Sequence, residues 1–153
     1  ALLQNRNFTA EDFALSHPSG SLGKRLILRV VDVMHIGDEI PSVDANVQLS
    51  DGLMEMTQKN LGMTAIVDND NRLLGIFTDG DLRRALDAGI DIRQIKIESI
   101  MHRDCKVTSP DILAAEAVRI MEKYKITGLL VTDDENHLIG ALNIHDLFRA
   151  GVM

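Results

Sequence analysis

The strongest constraint on this chain is that it states one unit twice. Val33-Met34-His35 returns as Ile100-Met101-His102 after 67 positions, and Gly75-Ile76-Phe77-Thr78-Asp79-Gly80-Asp81-Leu82 returns as Gly140-Ala141-Leu142-Asn143-Ile144-His145-Asp146-Leu147 after 65. A unit of about 60 residues buries too little surface to be comfortable alone, so two copies are expected to pack on each other and leave clefts where they meet.

The offset drifts from 67 at Met34/Met101 to 64 at Val43/Val107 and 65 at Asp68/Asp133, which places insertions in loops. A structural duplication requires this, because a one-residue slip inside a strand turns every side chain to the wrong face. Within each copy the pattern reads as a short β-type or helical lead-in, an extended piece, a helix, a hairpin and a closing helix. Val30–Met34 is the lead-in, and Ile40-Pro41-Ser42-Val43 is extended because the residue before proline avoids the α region. Leu49, Leu53, Met54 and Met56 form one apolar helical face, with Gly62 as its left-handed stop. In the second copy Leu113, Ala117, Ile120, Met121 and Tyr124 line that face, with Pro110 and Asp111 as start signals. Thr64–Val67 and Leu73–Phe77 flank the turn Asn69-Asn71, and Leu129–Val131 and Leu138–Leu142 flank Asp133–Asn136, two hairpin signatures. The closing helices run from Thr78 or Asn143 to Gly89 or Gly151.

With 153 residues, 45% hydrophobic and 25% charged, the chain matches ordinary globular proteins and can bury about two thirds of its unfolded surface. No Trp and one Tyr imply an aliphatic and methionine core. A formal charge of −7 argues against nucleic acid or anionic lipid as partner. Cys105 has no internal partner, no apolar run approaches the ~20 residues of a membrane span, and a cytoplasmic location is expected. Ala1-Leu2-Leu3-Gln4 reads as the tail of a helix begun earlier, so a longer parent protein is expected.

A β-α-β-β-α unit carrying Gly-apolar-x-Thr-x-x-Asp-Leu resembles the CBS domain, and two in tandem resemble a CBS pair, or Bateman module. The resemblance implies an α+β fold of two pseudo-twofold-related units, residues 30–90 and 91–153, with two equivalent clefts. Residues 1–29 stand apart. Phe8-Thr9-Ala10-Glu11-Asp12-Phe13-Ala14-Leu15-Ser16-His17-Pro18-Ser19-Gly20-Ser21-Leu22-Gly23-Lys24-Arg25 is similar to the junction between the sugar-isomerase (SIS) domain and the CBS pair of the D-arabinose 5-phosphate isomerases. That family interconverts ribulose 5-phosphate and arabinose 5-phosphate to supply the eight-carbon sugar Kdo of lipopolysaccharide. The resemblance implies that the catalytic domain lies upstream, and that His17 joins an isomerase active site, reaching a neighbouring subunit. An aldose-ketose isomerase needs a group titrating near neutrality to move a proton through an enediol.

For ligand contacts the resemblance points to Thr78, Asp81, Asn143 and Asp146, with the carboxylates accepting from ribose hydroxyls. The same spacing is that of a capping box, which satisfies helix-start amides with no ligand at all, and both readings stay open. Thr64, Thr127 and Gly128 precede or begin the hairpin strands, where family members present backbone to a nucleobase; a plain helix-to-strand turn is the competing reading. Arg83, Arg84, Lys125 and Arg149 are candidates to neutralise phosphate, or are simply solvated. His145, inside the second motif, is a further ligand-facing candidate.

No metal site is expected, because no pair among His35, His102 and His145 has i, i+4 spacing and no Cys or carboxylate completes a set. Gly20-Ser21-Leu22-Gly23-Lys24-Arg25 has two residues between its glycines where a phosphate loop has four, and Arg where Ser or Thr should follow Lys. The expected function is regulatory. The pair binds a nucleotide or nucleotide-sugar, an adenine nucleotide or the CMP-activated eight-carbon sugar, and reports occupancy to the isomerase; no cofactor is implied. The alternative is a ligand-free oligomerisation module holding isomerase subunits together, as a dimer of CBS pairs and a tetramer of the parent.

Overall fold

In a computed structural model, residues 27–153 are described. Each repeat builds a three-stranded sheet. In the first, β1 (Ser42–Asp44) runs parallel to β2 (Met63–Val67), which pairs antiparallel with β3 (Leu73–Thr78). In the second, β4 (Val107–Thr108), β5 (Gly128–Thr132) and β6 (Leu138–Asn143) repeat that order. Parallel strands need a crossover. It is α2 (Leu49–Lys59) in one repeat and α4 (Ala114–Tyr124) in the other, and α3 (Asp79–Asp87) and α5 (Ile144–Arg149) close the units. A short helix, α1 (Val30–Val33), leads in.

The two sheets meet in a shared apolar layer of Leu61, Met63, Ala65, Val67 and Leu73 against Leu130, Leu138 and Ala141. All five residues of β2 are buried, which is why Met63–Val67 is a continuous run rather than an alternating one. The hairpin tips also dock. Asn71 and Asn136 both take positive φ, 64° and 67°. Their side-chain amides donate to Leu138 O at 2.9 Å and Leu73 O at 3.0 Å, and Leu73 and Leu138 amides return bonds to Asn136 and Asn71 carbonyls.

The repeats exchange their lead-in segments. Residues 28–35 precede the first repeat yet pack on the second: Val30 lies in the core of Ala114, Ala117, Met121, Leu129 and Leu142. Ile97 lies reciprocally with Leu49, Met56, Ile66 and Phe77 of the first repeat. Each segment also satisfies an orphan amide at the start of a crossover helix, Ala114 N–H donating to Leu28 O and Leu49 N–H to Ile95 O, both 2.8 Å. This explains why α4 starts at Ala114 rather than at Pro110 and Asp111. Ile97 crosses where α2 carries Gly52, since a Cβ there would run into Ile97 Cδ1, whereas the smaller Val30 crosses at the equivalent Ala117.

Several sequence expectations need correction. The register sets Ser42 opposite Ala65 and Val107 opposite Leu130, so Ser42, not Val43, is equivalent to Val107 and the offset there is 65. Met54 is 61% and Tyr124 44% exposed, so neither belongs to the buried helix face. The left-handed stops are Asn60 (φ 58°) and Lys125 (φ 55°), with Gly62 two residues past the first. His17 and the rest of residues 1–26 lie outside the described residues.

The glycines that open the repeated motif exist for the exchanged segments. His102 N–H donates to Ile76 O and Ile76 N–H to His102 O, both 2.9 Å, and His35 and Ala141 bond likewise at 2.8 and 3.2 Å. A Cβ on Gly75 would stand 2.6 Å from Met101 Sδ and 2.8 Å from the His102 carbonyl. On Gly140 it would meet the Met34 thioether, with the His35 carbonyl farther off at 3.3 Å. Gly75→Ala is therefore expected to cost about 1–3 kcal/mol of unfolding free energy, and Gly140→Ala less because a flexible thioether can yield. Paired urea denaturation curves check the order; equal losses would contradict it.

Candidate functional site

The Thr78 and Asn143 motifs form caps. Thr78 N–H donates to Asp81 Oδ2 at 2.9 Å and Asp81 N–H to Thr78 Oγ1 at 3.2 Å. Asn143 N–H donates to Asp146 Oδ2 at 2.8 Å, while Asn143 Oδ1 accepts from both His145 and Asp146 amides at 3.0 and 3.2 Å. These are two capping boxes, each the start of a closing helix.

The other carboxylate oxygen of each box faces the exchanged segment. Asp81 Oδ1 accepts from Arg84 Nη2 at 2.6 Å and lies 2.6 Å from His102 Nε2. Asp146 Oδ1 accepts from Arg149 Nη2 at 2.6 Å and lies 2.8 Å from His35 Nε2. Each Asp thus joins its own helix start, an arginine one turn on, and a histidine brought in by the exchanged segment. Burial resists ionisation of Asp81, but the Arg84 bond, the bonds from Thr78 and the nearby His102 outweigh it and hold the carboxyl below its usual range.

The histidines differ. His35 sits between Asp146 and Glu39, whose Oε1 is 2.7 Å from Nδ1, and its side chain is 27% exposed. Burial opposes its charge, yet the hydrogen bonds to Glu39 and Asp146 raise its pKa above the usual value. Among the described residues His102 has Asp81 as its one carboxylate partner, and its side chain is 59% exposed. Beside it, burial and then Asp104 push the Cys105 thiol up to about 11, which disfavours the thiolate.

A cleft of about 370 Å³ opens at the first repeat's motif. Thr78, Asp79, Asp81 and Arg84 line it from the first repeat, Lys125, Thr127 and Gly128 from the second, and His102, Asp104 and Lys106 from the segment that joins them. Volumes of this order suit small-molecule sites. The structure thus brings together Thr78, Asp81, Arg84, Lys125, Thr127 and Gly128 of the sequence candidates. Thr64 is not among them: it is fully buried in β2, its hydroxyl directed to Ala65 O at 3.3 Å. Asn143, His145 and Asp146 sit at the pseudo-equivalent position on α5, outside this cleft, and His145 is exposed. Sequence reasoning weighed His102 only as a metal ligand and passed over Asp104 and Lys106. The Met-His echo was the available signal, but only the exchange of segments shows which Asp each His meets. Among the described residues no group of three His, Cys, Asp or Glu side chains is arranged to hold a metal ion, and no helix is long and apolar enough to cross a membrane.

A family model described as the CBS domain matches residues 30–88 and 97–152. The chain belongs to the CBS-domain family. The CBS pair of protein MJ0100, solved in complex with 5'-methylthioadenosine and S-adenosyl-L-methionine, superposes with a TM-score of 0.72 at 26% identity, over 80% of this chain and 94% of that one. CBSX2, solved in complex with AMP, shares the fold with a TM-score of 0.69 at 21% identity, over 82% of this chain and 96% of that one. Arabinose 5-phosphate isomerase KdsD of Pseudomonas aeruginosa is 58% identical over all 153 residues, and KdsD of Escherichia coli K12 is 54% identical. This CBS pair spans 47% and 46% of the lengths of those two proteins. The expected α+β architecture of tandem CBS units holds.

Two tests follow from the Asp clusters of this CBS pair. Asp81→Ala loses both a cap and a cross-repeat contact, so it is expected to cost more than the about 1 kcal/mol of a cap alone. In a double-mutant cycle with His102→Ala the coupling is expected to reach about 0.5 kcal/mol or more; strict additivity would show that the two side chains act independently. The pH dependence separates the clusters by sign. The folded pKa of His35 is raised, so its contribution is complete below pH 6.5 and fades as pH rises through the folded value. The stability gap between the native chain and His35→Gln should therefore narrow from pH 6 to pH 9 in denaturant titrations. Asp81 has the opposite sign: its contribution is present above its ordinary 3.8 and lost as pH falls through the lower folded value.

Proposed function

We propose that this chain is the ligand-sensing CBS pair of an arabinose 5-phosphate isomerase, and that a nucleotide or nucleotide-sugar in the Thr78–Asp81 cleft sets the state of an upstream sugar-isomerase domain. The observation that carries this reading is the cleft, in which both repeats contribute walls around one capped helix start bearing Arg84, with Lys106 and Lys125 in its lining. Identity with the KdsD proteins over the whole chain supports the parent activity, interconversion of ribulose 5-phosphate and arabinose 5-phosphate in the cytoplasm, for Kdo and lipopolysaccharide synthesis. The adenosine ligands of MJ0100 support an adenosine-containing ligand, and an adenine nucleotide is the candidate of that class. The CMP-activated eight-carbon sugar, as the end product of such a route, is the other candidate. His17 serves the isomerase domain in this reading, and this chain alone does not turn over sugar phosphate.

In the cleft, Asp81 acts first as a structural hub. A carboxylate offers about four lone-pair positions; Thr78 N–H, Arg84 and His102 occupy three of those on Asp81. A ribose hydroxyl uses the remaining position on Oδ2 or displaces His102. The second alternative ties occupancy to the exchanged segment and thereby to the packing between repeats. Different affinity for the two arrangements is what regulation requires.

A second reading, an oligomerisation module with no ligand, has its own support in the large apolar side chains left in solvent, Phe148 at 67% and Leu86 at 55%. Thermal melts with AMP, ATP, CMP and the CMP-sugar at millimolar concentration decide between the two. A ligand that binds the native state at a hundred times its Kd stabilises by about 2.7 kcal/mol, a shift of several degrees for a chain of this size. The expected result is such a shift for at least one nucleotide, lost in Thr78→Val; unchanged melts across the panel would leave the oligomerisation reading standing.

A further inference from the structure

We infer that the two motif positions of this CBS pair are functionally unequal: the cleft at Thr78–Asp81 is its single ligand site and takes a ligand with an anionic, phosphate-type group bound by Lys106 and Lys125, while the pseudo-equivalent position at Asn143–Asp146 is a structural strut. The inference rests on the ligand-sensing reading above and deepens it.

Charge distinguishes the two positions first. The register makes Lys106, the residue before β4, equivalent to Pro41, the residue before β1, and the left-handed helix stops make Lys125 equivalent to Asn60. The first cleft therefore has Arg84, Lys106 and Lys125, where its twin keeps only Arg149. The first cleft also holds the acids Asp79 and Asp104, and the register makes Glu39 of the twin equivalent to Asp104, so the two positions differ in their cations and in where that acid points. The connector from His35 to β1 is two residues longer than that from His102 to β4, and it brings Glu39 onto Nδ1 of His35 at 2.7 Å. Lys106, half-buried in the cleft lining, has its Nζ 4.6 Å from the Tyr124 ring centroid and 3.5 Å from Asp104, and Lys125, also in the lining, is exposed. The exposed Lys125 is free to turn to a ligand at little cost, and the long 3.5 Å pair of Lys106 with Asp104 is a weak one to give up.

Hydrogen bonding distinguishes them next. At the twin, Ile144 N–H donates to Thr127 O at 2.9 Å, and Asn143 Oδ1 accepts from both His145 and Asp146, so the first three amides of α5 are all engaged. In the first repeat, Asp79 N–H donates to Gly62 O at 3.1 Å and Thr78 Oγ1 accepts from Asp81 alone. With Thr78 Oγ1 turned to Asp81, the intervening Gly80 amide has no acceptor among the described residues, and Gly80 lines the cleft. Space follows the same division. A Cβ on Gly80 would lie 3.3 Å from Arg84 Nη2, and the twin carries His145 at that position. An anion entering the first cleft thus meets an open amide and three cations contributed by α3, the β4 lead-in and the end of α4, with Asp81 already paired to Arg84 and Asp104 to Lys106. At the twin the corresponding groups are engaged by the protein or replaced.

Isothermal titration of the 153-residue chain with AMP and with adenosine tests this, because the two probes differ only in the phosphate. The expected result is one equivalent of AMP per chain, with adenosine bound at least tenfold more weakly. Lys125→Asn, which installs the twin's residue and suits the left-handed backbone, and Lys106→Ala should each lower AMP affinity about tenfold while leaving adenosine affinity unchanged. Asn60→Asp at the twin should leave the AMP isotherm as it was. Two equal equivalents of AMP, adenosine binding as tight as AMP, or lysine variants with native affinity would each overturn the inference while leaving a nucleotide-sensing pair in place. An absence of heat with AMP, ATP and CMP alike would overturn the inference together with the reading it rests on.

Discussion

The structure depends on one reciprocal contact: the segment ahead of each repeat lies against the glycine that opens the other's motif. At Gly75 and Gly140 the absent side chain lets Met101-His102 and Met34-His35 come within backbone hydrogen-bonding distance of Ile76 and Ala141. From that contact follow the burial of Ile97 and Val30 in the opposite cores and the capping of Leu49 and Ala114 amides by Ile95 and Leu28. Neither repeat completes its helical core from its own consecutive residues. The exchange makes the pair one cooperative body rather than two modules that happen to touch, because separating the repeats would uncover both cores at once.

The same contact turns a local capping device into a long-range one. A capping-box carboxylate normally serves its own helix start. Here Asp81 and Asp146 use the second oxygen for a histidine delivered by the exchanged segment, so a group at the cleft wall reports on the docking of the repeats. Small departures from the twofold then separate the two ends of the molecule. Threonine rather than asparagine at the cap, glycine rather than histidine in the first helical turn, and lysine rather than proline ahead of the strand all fall on one side. The longer connector and Glu39 fall on the other, where they hold His35 between two carboxylates. A duplicated fold can in this way keep one copy of a motif for binding and use the other for stability.

Much of this was legible in the residues. The constant offset gave the duplication, the hairpin turns and β-branched runs gave β2–β3 and β5–β6, and Thr-x-x-Asp and Asn-x-x-Asp gave both capping boxes at their observed positions. These features are local, and each is decided within a few residues by backbone propensity and short-range hydrogen bonding. The misplacements have tertiary causes. Helix α4 starts late because Leu28, far away in sequence, supplies the acceptor for its first amide. Met54 sits among apolar neighbours in sequence and is left in solvent, because the sheet and Ile97 cover only the Leu49–Met56 face of α2. Thr64 looked like a cleft residue from its place before a strand, but the pleat turns it into the interior.

By itself the sequence determined that there are two copies of a β-α-β-β-α unit, where their turns and helix starts lie, and that each copy carries a polar motif at the start of its last helix. Periodicity and capping chemistry are written in consecutive residues, so no partner is needed to read them. Only the tertiary structure decided which copy each lead-in segment serves, that His102 belongs with Asp81 and His35 with Asp146, and that Lys106, Lys125, Thr127 and Gly128 face Thr78 across one cleft. Those pairings join residues up to 111 positions apart. They are selected by which surfaces close over the shared apolar layer, a choice that exists only once both repeats are folded against each other.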